Sequence, residues 1–291
     1  MIIQQLTNGL TLGMVYALIA VGYSLVFGIL RLVNFSHGAV YAFGAHMAMI
    51  FVSIKFGIFP ALILSIILTG VLGVVIDKLA LAPLRAKKSK GIAALITTIG
   101  ISYIIQNFLM IAFGTQTKFF PKIFDYGTVY IGGVGFSTTQ IFIFGVSLVL
   151  LLVLTFIIKG TKIGLAMRAV EQNQKAAHLM GIDVNRVITF TFFLGGASAA
   201  IAGTLISGYY QVVYANMGFL AGLKAFSAAV LGGIGILHGA IFGGLVVGVS
   251  ESFAATYLGG TYRDAIAFLI LIIVLLIKPA GLFGKKGIKK V

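Results

Sequence analysis

Cysteine and tryptophan are both missing from this chain, and it has only four prolines and six acidic residues in 291. Without cysteine there are no disulfides, no thiolate metal ligands and no cysteine nucleophile. Only 9% of the residues are charged, against roughly 25% in soluble domains, so the polar surface a water-soluble fold needs is not there. What takes its place is apolar: 60% of the residues are hydrophobic and the mean hydropathy is +1.12. The apolar runs are long and continuous, unlike the alternating ~10-residue segments of a membrane β-barrel. The expectation is an all-α, polytopic transmembrane bundle forming one domain over 1–291. At ~20 residues per span there is room for about eight to ten helices. Thirty-eight glycines suit close helix packing within a membrane.

Several chemical signatures are absent as well. No G-x-x-x-x-G-K-[ST] loop occurs, so the chain is not expected to hydrolyse ATP itself. H-E-x-x-H and G-x-S-x-G are missing, and His37, His46, His178 and His238 are too scattered for a metal site. No catalytic residues, metal or cofactor are expected, and the chain does not read as an enzyme. The opening MIIQQLTNG has no basic n-region, so the first span is expected to remain in the mature protein. Among the acids, only Asp77 and Glu251 fall in apolar runs, both near predicted ends. No proton relay is therefore expected at a span centre.

Apolar runs lie at about 7–29, 36–55, 58–81, 91–113, 140–158, 187–206, 220–236, 239–257 and 264–277. Basic residues sort between their connections. Arg31, Lys78, Arg85, Lys87, Lys88 and Lys90 fall on one side, with the basic residues of 159–186 and of the tail from Lys278. Lys55, Lys118, Lys122 and Arg263 lie opposite, with Lys224 near them. The positive-inside rule makes the crowded side cytoplasmic. This sorting accounts for the net charge of +15 without a nucleic-acid partner. Nine spans with an outside N-terminus fit, and so do eight with an inside one if 31–55 is broken. The C-terminus is cytoplasmic on either count. The loop at about 114–139 is then external, and alternation over Thr128–Phe136 around Gly132-Gly133 is consistent with a hairpin or with an irregular connector.

The stretch 159–186 is the longest polar interruption on the basic side. Asn173 can cap a helix over Gln174–Met180 and Gly181 can close it in the left-handed conformation. A helix so short is marginal alone and must pack on something. Either Ala176 and Ala177 offer a low surface to a soluble partner, with Leu179 and Met180 filling its groove, or the basic residues fold the loop onto lipid headgroups.

Two further features stand out. Asn34, Ser36, His37, Gly38 and Tyr41 place polar groups at the start of an apolar run; they line a pathway, or Asn34 or Ser36 merely caps the next helix. Small residues recur at four-residue spacing, Gly195, Ala199 and Gly203 in one run and Gly244 and Gly248 in another, as expected for helix packing. Glycines at 232, 233 and 235 are expected to break their helix. The match of His37–Tyr41 to His238–Phe242 is too short to establish an internal repeat.

The chain resembles the permease subunits of ABC importers for branched-chain amino acids, a family that includes urea and short-chain amide permeases. The resemblance rests on Leu32-Val33-Asn34-Phe35-Ser36-His37-Gly38, on Gly164-Leu165-Ala166-Met167-Arg168-Ala169-Val170, on Lys175-Ala176-Ala177-His178-Leu179-Met180-Gly181-Ile182, and on Gly222-Leu223-Lys224-Ala225-Phe226 leading to Leu231-Gly232-Gly233. It implies a passive translocation subunit in the bacterial cytoplasmic membrane. Two cytoplasmic ATPases carrying ATP and magnesium, a second permease, identical or a sister, and an extracytoplasmic solute-binding protein would complete the complex. Ala176, Ala177 and Gly181 match the E-A-A…G docking loop of such importers, with Lys175 where the acid often stands. The ATPase contact implied is Arg168, Glu171, Asn173, Lys175, Ala176, Ala177, Leu179, Met180 and Gly181. A stand-alone uniporter or channel, or a structural subunit without a pathway, are the readings from other classes.

Overall fold

The computed structural model describes residues 2–87, 89, 91–121, 127–131 and 134–284. Gly132, Gly133, Lys88, Lys90, Lys122 and the tail lysines from Lys285 onward lie outside the described residues. Every apolar run is a helix. They are α1 (Ile2–Leu30), α2 (His37–Ser53), α3 (Ile58–Ile76), α5 (Gly91–Phe113), α6 (Thr138–Gly160), α9 (Val184–Tyr210), α10 (Met217–Gly232), α11 (Leu237–Tyr257) and α12 (Arg263–Ile277). A π-helical turn, Asp77–Leu81, joins α3 to α4 (Ala82–Ala86). Two further helices, α7 (Lys162–Gln172) and α8 (Gln174–Leu179), fill the polar stretch between α6 and α9. Four short strands are β1 (Lys118–Phe119), β2 (Thr128–Ile131), β3 (Val134–Ser137) and β4 (Val212–Val213).

Among the described residues, seven helical stretches are long and apolar enough to cross a membrane. The outer ones expose apolar stripes: Ile63, Ile67, Val71 and Val75 on α3 are all 40% exposed or more. Such a face is tolerable only against lipid or another membrane-embedded chain. The chain is a multi-pass membrane protein.

α1 is apolar on every side and correspondingly buried; Ala17 through Val21 have no exposed surface. Its closest neighbour is α11, antiparallel to it, with Gly9 against Val249, Gly13 against Leu245 and Ala17 against Gly244. A Cβ on Gly248 would lie 2.3 Å from the Gly13 backbone, so this seam closes only without side chains. Gly203 presses on the Tyr41 carbonyl in the same way, and Ala199 is fully buried. Gly195 has ordinary contacts. The small-residue stripes are helix seams.

One end of the bundle holds the strands. Gln4 Nε2 donates to Gly135 O (2.8 Å), Gln140 Nε2 donates to Asn8 (2.7 Å), and β1 pairs with β4. β2 and β3 form the hairpin that the alternation allowed. The other end holds α4, α7 and α8, with Gln174 Nε2 donating to Ile29 O (2.8 Å) and Leu282 N to Leu231 O (2.8 Å). The start of α1 thus lies at the hairpin end and residues 278–284 at the loop end, as an odd number of passages requires.

α2 and α10 are 17 and 16 residues long, short for a ~30 Å core. Both begin inside the bundle: His37 meets Tyr23 of α1 edge-on, with ring centroids 4.6 Å apart, and Gly38 packs directly on Gly218 and Gly222. The chain is non-helical over 31–36 before α2 and over 211–216 before α10.

Candidate functional site

The two interrupted helices frame a cavity of about 660 Å³, lined by Tyr23, Phe35, Gly38, Tyr103, Leu220 and Leu223 among others. It is mostly apolar, with the backbone at the starts of α2 and α10 at its wall. A second cavity of about 410 Å³ lies toward the hairpin end and is lined by Tyr16, Tyr41, Tyr210, Lys224, Arg263 and Asp264, among others. Tyr214 and Leu220 line both, so the two are adjacent.

The residues singled out at the break divide between these roles. Asn34 Oδ1 accepts from Ser36 N (3.1 Å) and from Ser36 Oγ (2.6 Å), which uses their polar atoms locally as a turn that starts α2. His37 is buried against Gly22 and Ser198. Asn34, Ser36 and His37 are buried and are not in the lining of either cavity. Gly38 and Tyr41 do line the cavities.

A group that sequence reasoning missed lies beside the smaller cavity. Lys224 on α10 is 6% exposed and Glu251 on α11 has no exposed surface. Lys224 Nζ is 3.0 Å from Glu251 Oε1 and 2.5 Å from Asp264 Oδ1. Arg263 Nε also donates to Glu251 Oε1, and its Nη2 to the Tyr210 hydroxyl. Glu251 Oε2 is buried and takes neither cation. The signal was available: a lysine and a glutamate within separate apolar runs, and an Arg-Asp pair opening a third. Their distance in sequence hid the cluster. Asp77, the other acid in an apolar run, is paired at the loop end with Arg85 (2.6 Å) and Thr189 (2.8 Å).

At the loop end, α8 has the caps its sequence predicts. Asn173 Oδ1 accepts from Lys175 N (3.0 Å) and Ala176 N (3.1 Å). Gly181 takes φ +83, its N donates to His178 O and Ile182 N donates to Ala177 O, the double closure that a left-handed glycine permits. α7 was not foreseen. Thr161 caps it by accepting from Gly164 N (3.1 Å), and Gly164, Met167 and Val170 face inward. Arg168 on α7 donates to the Ile158 carbonyl. Glu171 lies against Gly28 of α1; burial raises its carboxyl above the ordinary range, and Arg31 partly opposes the shift.

On α8, Lys175 and Ala176 are exposed, and Leu179 and Met180 are 86% and 83% exposed. Ala177 is 4% exposed. It packs into its own chain and offers no surface to a partner, which corrects the expectation that both alanines do.

The sequence of 5–275 matches the model of the family described as branched-chain amino acid transport system / permease component. The chain belongs to that family. The permease is similar to the high-affinity branched-chain amino acid transport system permease protein BraD of Pseudomonas aeruginosa, 41% identical over 99% of this chain and 98% of that one. It is also similar to LivH of Escherichia coli, another protein of that description, 39% identical over 99% and 97%. Among solved structures, a chain of PsaBC from Streptococcus pneumoniae in complex with Fab shares the fold, with a TM-score of 0.53 at 15% identity over 95% of the permease and 92% of that chain.

Proposed function

We propose that the permease is the membrane-spanning subunit of an ATP-driven ABC importer and passes branched-chain amino acids inward by alternating access. The observation that carries the coupling half of this reading is the Leu179-Met180 pair. Two large apolar side chains stand almost fully exposed beside a rigidly capped helix at the polar, basic end, away from the lipid-facing stripes. That is the form of a knob for a soluble partner's groove. The loop end is then cytoplasmic, with the C-terminus, and two ATPases bind there and carry the ATP and magnesium; the chain itself uses no cofactor. The hairpin end faces a solute-binding protein outside the bacterial cytoplasmic membrane, and a second permease, identical or a sister, completes the pathway. The substrate half is supported by the similarity to BraD and LivH and by the larger cavity, whose Phe35, Ile99 and Leu223 suit an aliphatic side chain better than urea.

The test is ATP-driven uptake of radiolabelled L-leucine by the complete complex in liposomes. Leu179→Asp with Met180→Asp is expected to lower uptake at least about tenfold, a loss of ~1.4 kcal/mol of coupling, while the permease still reaches the membrane. Uptake at the unaltered rate would sink the coupling assignment. Leucine flux through the permease alone would favour a uniporter.

A further inference from the structure

The Lys224, Glu251, Arg263 and Asp264 cluster is far from every feature used for coupling, and its composition is unusual for a fixed structural pair. Two cations share one oxygen of Glu251 and neither takes the other. Lysine has three N–H donors and arginine five, so each cation keeps donors beyond its contacts. Asp264 contacts the cluster through Lys224, and its side chain is 43% exposed. All of Lys224, Arg263 and Asp264 face the 410 Å³ cavity. Two positive and two negative groups balance, and a balanced set is what a low-dielectric site tolerates. A further single charge would upset that balance. A zwitterion would not.

Beyond the cluster the walls change character. Leu220 and Tyr214 separate this cavity from the larger, apolar one. A solute with an ammonium and a carboxylate on one carbon and an aliphatic side chain on the same carbon matches both halves at once.

We infer that this cluster is the headgroup station for a zwitterionic α-amino acid on the hairpin side of the pathway. Asp264 receives the ammonium, Lys224 and Arg263 receive the carboxylate, and Glu251 holds the two cations in place from behind. The side chain points past Leu220 into the apolar cavity. This rests on the amino-acid reading of the preceding section and adds the atoms that recognise the solute.

The absence of cysteine makes the test direct. A single Leu220→Cys reporter, in a complex that still takes up leucine with ATP, is labelled with a maleimide in the presence of excess L-leucine, isoamylamine or isocaproate. The two analogues lack the carboxylate and the ammonium respectively. Leucine is expected to slow labelling several-fold and the analogues far less. Asp264→Asn and Lys224→Met are each expected to weaken leucine protection at least tenfold. Equal protection by an analogue, or full leucine protection in both variants, overturns the station. If either variant fails to assemble, the comparison of leucine with its analogues in the reporter alone decides. No protection by leucine, with ATP-driven uptake intact, overturns the station but leaves the transport reading standing. No leucine uptake by the unaltered complex overturns both.

Discussion

Asp77 and Glu251 are both carboxylates with no exposed surface, and they are held in opposite ways. Each oxygen of Asp77 has one partner, Arg85 or Thr189. The slack lies on the cation, where Nε and Nη2 of Arg85 lack partners. Neither Asp77 nor Arg85 lines any of the cavities described. Glu251 takes two cations on one oxygen and none on the other, beside a cavity that those cations face. Equal burial therefore does not mean equal purpose. The first arrangement is closed around the acid and ties the π-helical turn to α9; the second keeps donors in reserve.

The largest expected effect tests the closed member. Asp77→Ala leaves Arg85 largely buried without its carboxylate, and breaking such a pair costs ~3 kcal/mol or more. Thermal unfolding in detergent should show a clear loss, and an unchanged midpoint would break the contrast. Glu251→Gln should cost less, about 1–2 kcal/mol, because Lys224 keeps Asp264 and Arg263 keeps Tyr210. Its effect on leucine uptake should nevertheless exceed that of a conservative Asp77→Asn change. The reverse order would make the cluster structural.

Glu171 gives the smallest effect and a third case, half-buried and held up in pKa by desolvation. A raised folded pKa means that its contribution is complete below the ordinary carboxylate value and is lost as pH rises through the raised one. Glu171→Gln should therefore be slightly stabilising at neutral pH, within about 0.5 kcal/mol, and should flatten the melting-versus-pH curve just above the ordinary carboxylate range. A steeper curve in the variant would reverse the sign.

What could be read in advance follows from the range of the forces involved. Asn173 and Gly181 cap α8 through atoms a few residues away, so their types suffice. The hairpin was one of two readings because alternation and a glycine pair are also local. Ala177 was misplaced because a helix of six residues has no settled face until its neighbours are known. α7 was overlooked since its inward Met167 and Val170 sit in a polar run, where the apolar stripe is only three residues wide in spacing. Asn34 and Ser36 looked like pathway groups, yet Asn34 Oδ1 and the Ser36 hydroxyl are spent on each other in the turn that starts α2.

Sequence alone determined that this is a predominantly helical membrane protein, where its apolar helices lie and how α8 is capped, because hydropathy and capping are summed over neighbours along the chain. Tertiary structure alone decided that α2 and α10 start in mid-bundle and that Lys224, Glu251 and the Arg263-Asp264 pair meet. Those charges come from three helices. Which buried charge finds which depends on the glycine seams that set the distance between backbones.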